Sequence, residues 1–199
     1  MGQTTEVRFE TVFVNKTPPD DERTKELIYW SKRFDRLGLA PKSAGNLSFR
    51  IKKGFIITAT GVELRAVEKE NLVEVLKVEV EKGQILVSVK GRMVPSKESV
   101  LHSRIYGLRP EINAVFHTHD QMVLEFAEEL KLPCTEGEQP RGSHELVKEV
   151  QRMLGLAKNT KYLVLRNHGV ISMGETLEEA GRLAEDMNKL ARQTQEKGG

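Results

Sequence analysis

The stretch Ala114-Val115-Phe116-His117-Thr118-His119 joins an apolar run to a pair of histidines. The run from Ile112 to His119 predicts a buried strand. Because successive side chains of a strand point to opposite faces, His117 and His119 share one face and can reach a common metal ion. Taken alone, such a pair is as typical of packed or surface histidines as of a metal site.

A third histidine stands in an equivalent place. His168 follows the apolar run from Tyr162 to Leu165 and precedes Gly169, so it lies at a strand end where the chain turns back. By itself, this position is more typical of a tight turn with a hydrogen-bonded histidine than of a metal ligand. Three imidazoles suit zinc and other first-row ions and leave a coordination position for substrate. Together the histidines predict one divalent ion, Zn²⁺ or similar, in each subunit.

Glu98 is the predicted proton-transferring carboxylate. It precedes His117 by 19 residues and lies in the first turn of a helix predicted from about Ser96 to Gly107. An acid in that position is commonly explained by the helix dipole. Beside a cation, however, a carboxylate can act alternately as ligand and base. His102 shares the helical face of Glu98, and it either supports Glu98 or simply packs in the core.

Three short polar segments predict an anion site. Two are small-residue turns, Gly45-Asn46-Leu47-Ser48 and Thr58-Ala59-Thr60-Gly61, which can present backbone N–H groups and hydroxyls. The third, Pro95-Ser96-Lys97, adds a hydroxyl, a cation and a helix N-terminus. Turn chemistry explains any one of them without a ligand. Together they predict that a substrate phosphate is bound by Gly45, Asn46, Thr60, Gly61, Ser96 and Lys97.

The rest of the chain predicts strands interleaved with helices. Strand-like segments cover residues 7–14, 46–51, 54–60, 85–89 and 162–167, and helical segments cover residues 20–38, 121–131, 143–154 and 175–193. An interleaved order implies a sheet covered on both faces. We therefore predict an α/β fold, a single-domain three-layer α/β/α sandwich over residues 1–199 with a mainly antiparallel or mixed central sheet.

Composition excludes several functional classes. The 31 lysines and arginines against 29 acids leave a net charge of +2, so the chain lacks the basic excess that nucleic acid requires. No run approaches the roughly 20 apolar residues of a membrane span, and the start MGQTTEVRFE has no signal pattern. The single Cys134 agrees with a reducing compartment. We expect a cytoplasmic protein with no nucleic-acid or membrane partner.

These motifs together resemble the class II aldolase/adducin family. The resemblance covers residues 25 to 190, and its motifs are Pro95-Ser96-Lys97-Glu98-(x3)-His102-(x2)-Ile105-Tyr106, Arg109-Pro110, the His-x-His strand, Asn167-His168-Gly169 and Gly174-(x)-Thr176-Leu177-Glu178-Glu179-Ala180. It implies a three-layer fold, a homotetramer with its site near a subunit interface, and zinc or a similar ion on His117, His119 and His168.

The resemblance also implies a reaction. Members of the family cleave a phosphorylated keto-sugar of the fuculose-1-phosphate type to dihydroxyacetone phosphate and an aldehyde by retro-aldol chemistry, and Glu98 would move the protons. A glutamate here is similar to the aldolases, whereas the epimerases carry aspartate. Epimerases and dehydratases of the family share the metal chemistry, so both remain alternatives. Adducin-like members are non-catalytic interaction modules that tend to lose the histidines retained here.

Two departures from the family pattern concern the substrate. The loop 132–142, where the fuculose-phosphate enzyme carries a tyrosine that assists proton transfer, reads LPCTEGEQPRG and has none. His144 and Tyr106 are candidates for its role. Lys97 replaces the usual second serine of the phosphate motif, a change that keeps anion binding but alters its geometry. The sequence therefore leaves the identity of the sugar open.

Overall fold

The computed structural model describes residues 8–81, 84–140 and 142–198, which form an eight-stranded sheet and five α-helices. The strands are β1 (Arg8–Asn15), β2 (Asn46–Arg50), β3 (Phe55–Thr58), β4 (Leu72–Glu81), β5 (Gln84–Lys90), β6 (Ala114–Thr118), β7 (Tyr162–Leu165) and β8 (Gly169–Gly174). The helices are α1 (Thr24–Arg36), α2 (Ser99–Leu108), α3 (Gln121–Phe126), α4 (His144–Leu156) and α5 (Leu177–Gly198). Within these ranges, none of the helices has the length and apolarity to cross a membrane.

The strand order is β1-β5-β4-β3-β2-β6-β8-β7. β1 and β5 run parallel, and every other neighbouring pair is antiparallel. The prediction of a mixed, mainly antiparallel sheet is confirmed. The order also places β6 between β2 and β8. The strand that contains His117 is therefore a direct neighbour of the strand that follows His168.

Helices cover both faces of the sheet. α2 and α4 pack on one face, where Leu101 and Val150 join a core of strand side chains that includes Val115. α1 and α5 cover the other face, where the ring of Phe34 packs edge-on against Phe116 with centroids 5.6 Å apart. Because Val115 and Phe116 are neighbours in β6, the alternation of a strand supplies both cores. The three-layer prediction is confirmed.

Several element boundaries differ from the predictions. The helix predicted from Ser96 begins at Ser99, because Pro95 pairs with Ala59 and the Ser96 N–H donates to the Thr58 carbonyl oxygen at 3.3 Å. These bonds hold the segment extended beside the sheet. α3 ends at Phe126 rather than residue 131, and α5 runs five residues beyond its predicted end. Two strands, β4 and β8, were not predicted at all.

Candidate metal centre

Three imidazoles converge at one end of β6. His117 lies in β6, His119 directly follows it, and His168 occupies the turn between β7 and β8. The ring centroids are 4.9 to 5.1 Å apart, and one ligand nitrogen from each ring lies within 4.8 Å of the others. All three residues are buried. The structure therefore brings the three predicted metal ligands together.

Strand register and one glycine account for this convergence. β6 pairs with β8 so that Thr118 faces Val170, and the β7–β8 hairpin closes at Gly169, next to His168. A Cβ atom at Gly169 would lie 2.4 Å from the Thr118 carbonyl oxygen and 2.7 Å from Cε1 of His117. Real Cβ contacts are not that short, so only glycine lets the hairpin approach the histidine strand this closely.

The chemistry of the rings fits a bound cation. Nδ1 of His117 lies 3.0 Å from the Val170 carbonyl oxygen, which can only accept, so Nδ1 carries the hydrogen and Nε2 offers a lone pair. That Nε2 lies 3.0 Å from Nε2 of His119. Among the described residues neither ring nitrogen of His168 has a well-aligned hydrogen-bond partner. Burying ring nitrogens without well-aligned partners is costly, and a divalent first-row ion would give one nitrogen of His168 a ligand bond.

Glu98 faces the same point from the other side. Although it is the N-cap residue of α2, its side chain makes no capping bond. Instead Oε1 lies 3.2 Å from Nε2 of His168, Oε2 lies 3.2 Å from Nε2 of His117, and the Asn46 amide donates to Oε2 at 2.6 Å. Stabilisation by the helix dipole is therefore not the main reason for a glutamate at this position.

The surroundings keep Glu98 ionised. Burial by itself raises the pKa of the Glu98 carboxyl. Positive charge on the facing side chains of His117 and His168, with the hydrogen bond from the Asn46 amide, more than offsets this effect and holds the pKa well below its usual range. The site thus places a carboxylate, rather than a neutral acid, beside the ligand nitrogens.

His102 lies in the core behind the site. Its Nδ1 is 2.6 Å from the Ser48 hydroxyl, which is also 2.8 Å from the Tyr106 hydroxyl. Burial lowers the pKa of His102 to about 3, against a smaller opposing effect of Glu98 and with a smaller added effect of His117, while burial raises the pKa of the Tyr106 phenol. His102 is therefore neutral and anchors α2 to β2. Tyr106 is tied into the same network.

The three segments of the predicted phosphate site adjoin one another. Thr58 joins them, because its hydroxyl accepts from the Leu47 N–H and its carbonyl oxygen from the Ser96 N–H, both at 3.3 Å. Gly45 and Gly61 adopt positive φ angles of +97° and +74°, which favour glycine. The predicted residues that lie on these segments are Gly45, Asn46, Thr60, Gly61, Ser96 and Lys97.

Sequence analysis missed two polar residues beside the site. Asp120 follows His119, and its Oδ1 accepts from the Val123 N–H at 3.2 Å, which caps α3. Its Oδ2 accepts from the side-chain amide of Asn188 in α5 at 2.8 Å. An aspartate just before a helix is a recognisable capping signal. Asn188, however, lies 68 residues further along the chain, and no local pattern connects the two.

Comparisons with known proteins agree with this geometry. The sequence profile of the Class II Aldolase and Adducin N-terminal domain matches residues 25–194. The L-fuculose phosphate aldolase of Haemophilus influenzae is 30% identical over 190 residues, an alignment that covers 85% of this chain and 81% of that protein. The 5-methylthioribulose-1-phosphate/5-deoxyribulose-1-phosphate aldolase of Escherichia coli is 27% identical over 187 residues, covering 84% of this chain and 80% of that one.

Solved structures share the fold. An L-fuculose 1-phosphate aldolase superposes with a TM-score of 0.71 at 21% identity, covering 92% of this chain and 90% of that one. A sugar-phosphate aldolase from Thermotoga maritima gives 0.70 at 20% identity, covering 86% and 92%. With the profile match across most of its length, the chain belongs to the class II aldolase and adducin family.

Proposed function

We propose that this protein is a divalent-metal-dependent aldolase that cleaves a phosphorylated keto-sugar to dihydroxyacetone phosphate and an aldehyde. The observation that carries the proposal is the meeting of three buried imidazoles with the buried carboxylate of Glu98. Relatives named as aldolases of L-fuculose phosphate and of 5-methylthioribulose-1-phosphate support the reaction class. A sugar of the fuculose-1-phosphate type is the substrate we propose.

The metal would be held by His117, His119 and His168. Nδ1 of His117 is occupied by the Val170 carbonyl oxygen, which leaves Nε2 as the ligand atom on that ring. When bound, a divalent ion supplies Lewis-acid stabilisation of the negative charge that develops on the substrate oxygens as the C–C bond breaks. The three histidines would determine where the ion lies, and therefore where that charge is stabilised.

Glu98 would move the proton. In the retro-aldol direction, its carboxylate takes the proton from the hydroxyl on the carbon that becomes the aldehyde. The C–C bond then breaks, its electrons pass to the keto oxygen, and a proton returned to carbon completes dihydroxyacetone phosphate. The Asn46 amide donates to Oε2 at 2.6 Å and so orients the carboxylate for this role.

The substrate phosphate would bind at the two glycine turns and the start of α2. Asn46, Thr60, Gly61 and Ser96 offer hydroxyl, amide and backbone N–H donors, and Lys97 adds a cation. Gly142, the last residue of the tyrosine-free loop, lies so close to Lys97 that a Cβ atom added to it would be 3.5 Å from the Lys97 carbonyl oxygen. This loop therefore lies where it can influence the choice of sugar.

Other features of the proposal rest on family membership. We propose zinc, one ion per chain, as the metal and a homotetramer as the assembly. We also propose a cytoplasmic location and one domain spanning residues 1–199. Nucleic acid is not proposed as a partner, since the net charge is only +2, and neither is a membrane.

The test is a metal assay coupled to a screen of sugar phosphates. Wild-type protein loaded with Zn²⁺, Co²⁺ or Mn²⁺ is incubated with keto-sugar 1-phosphates, and released aldehyde is trapped and measured. We expect cleavage by wild type and a loss of at least about 100-fold in kcat for Glu98→Gln, because the amide keeps the shape but cannot accept the proton. Both proteins should bind one ion per chain.

Unphosphorylated forms of the same sugars are the matched control for the anion site. They should be cleaved poorly, mainly through a raised KM. Intact metal binding without cleavage of any sugar phosphate would contradict the proposed reaction. Product NMR that showed an epimer or a dehydrated sugar would replace the aldolase with another activity of the same family.

A further inference from the structure

The three metal ligands are supported to different degrees. His117 is part of the β6–β8 ladder, and its ring is fixed by the Val170 carbonyl oxygen. His168 is confined to the short turn between β7 and β8. His119, in contrast, lies one residue past the last ladder pair and two residues before α3. Its backbone position therefore depends on what holds the β6–α3 connection.

Asp120 makes several of the hydrogen bonds that hold this connection, and the Gln121 side chain adds one by donating to the His119 carbonyl oxygen at 3.5 Å. The Asp120 carboxylate accepts from the Val123 N–H with one oxygen and from the Asn188 amide with the other. Its carbonyl oxygen also accepts the Leu124 N–H at 3.0 Å. The residue bonded directly to His119 is thus fixed both to α3 and to α5.

Arg192 on α5 determines which group donates in the hydrogen bond between Asn188 and Asp120. The Arg192 Nε–H donates to Oδ1 of Asn188 at 2.8 Å, and since arginine has no acceptor, this bond identifies the amide oxygen. The amide nitrogen of Asn188 must then face Oδ2 of Asp120, which can only accept when ionised. Arg192 therefore donates to Asn188, and Asn188 in turn donates to Asp120.

We propose that Asn188 and Arg192 are positioning residues for the metal centre and act through Asp120 on His119. Neither side chain has to touch the ion. Their contribution is to keep the His119 backbone in one place while its ring reaches the ion, as outer residues commonly do for metal ligands. The inference rests on the proposed metal centre, and it extends that centre to the C-terminal helix.

The same helix supplies a matched control. Glu185 lies three residues before Asn188 and is similarly buried, with 3% exposure against 7%. It pairs with Arg33 on α1, away from the β6–α3 connection. If Asn188 only holds α5 against the molecule, replacing either residue should have the same consequences. If Asn188 positions His119, only its replacement should affect metal binding.

The experiment measures Co²⁺ affinity by chelator competition, the visible Co²⁺ absorption band and the thermal midpoint. We expect Asn188→Leu to weaken Co²⁺ binding about tenfold and to change the band, which reports ligand geometry. Arg192→Met, at an exposed position, should weaken binding about threefold with little loss of stability. Glu185→Gln should lower the thermal midpoint but keep Co²⁺ affinity within about twofold of wild type.

Each outcome decides the question. Co²⁺ affinity within twofold of wild type for Asn188→Leu, or an equal loss in Glu185→Gln, would overturn the positioning role. If Asn188→Leu does not fold, Arg192→Met gives the decision by the same criterion. Wild-type protein that binds no Co²⁺ would contradict the proposed metal centre itself, whereas normal wild-type binding with unaffected variants removes only the inference about α5.

Discussion

The two halves of the sheet bury different kinds of side chain. In the outer half, β5 alternates buried Ile85, Val87 and Val89 with residues that are partly exposed. In the half with the histidines, the neighbouring strands β2, β6 and β8 bury Ser48, Thr118 and other polar groups as well. Burying polar groups costs stability unless they are paired. The contrast agrees with the proposal that the outer half mainly stabilises the fold, while the half with the histidines also carries the metal centre.

The family match covers both halves of the sheet except β1. β1 lies ahead of the matched residues 25–194, whereas every residue of the proposed site falls within them. β1 extends the sheet by pairing in parallel with β5. Substitutions in the two halves should therefore separate stability from metal binding.

The largest effect is expected for Gly169→Ala in the histidine half. The added Cβ would meet the Thr118 carbonyl oxygen and the His117 ring, so the hairpin must move away and carry His168 with it. We expect Zn²⁺ affinity to fall about 100-fold, measured by chelator competition. Gly155→Ala is the control, because nothing lies within 4 Å of its Cβ position in α4. It should leave affinity unchanged, and an equal loss there would refute the steric explanation.

Truncating a core side chain in the outer half should lower stability and leave metal affinity unchanged. Val87→Ala removes two buried methyl groups from β5, and we expect it to lower the free energy of unfolding by about 2 kcal/mol in urea titrations. Zn²⁺ affinity, measured on the folded variant, should stay within about twofold of wild type. A large loss of affinity would show that the two halves are not independent.

The smallest effect concerns the response of stability to acid. The pKa of buried His102 is about 3 in the folded protein and 6.5 when unperturbed. As pH falls below 6.5 the unfolded chain takes up a proton that the folded state does not bind, so stability is lost by up to about 1.4 kcal/mol per pH unit until pH 3. Above pH 6.5 this contribution is complete.

The measurement compares urea unfolding at pH 7.5 and 5.5 for wild type and His102→Gln, both without metal. Glutamine can still bond to Ser48 but does not titrate in this range. Wild type should lose about 1 kcal/mol more than the variant between the two pH values. Equal losses would indicate that His102 is not the group responsible.

Much of the architecture was predictable from local patterns. Six of the eight strands and all five helices follow apolar periodicity, with boundaries shifted by a few residues. β4 is not predicted although its sequence LVEVLKVEVE alternates, because its charged residues are also typical of turns. β8 was missed because GVISMG is buried on both faces and so lacks alternation. Strand order depends on pairings between distant segments, which no local pattern contains.

The residues of the site that belong to a recognisable sequence motif could be predicted. The contacts that depend on packing between distant segments could not. The His-x-His strand, His168 and Glu98 were all identified by spacing and residue type, although their roles stay predictions. The hydrogen bond from the Asn46 side-chain amide to Glu98 joins residues 52 positions apart and could not be predicted from spacing. The steric demand at Gly169 likewise exists only once β6 and β8 lie side by side.

The three imidazoles come from two segments about 50 positions apart, and they meet only after β6 and β8 have paired. An ion held there would bind the folded chain and have little affinity for the unfolded one. By mass action, the melting temperature would then rise with the concentration of free ion. Heat resistance in this protein would become a property of the surrounding solution as well as of the polypeptide.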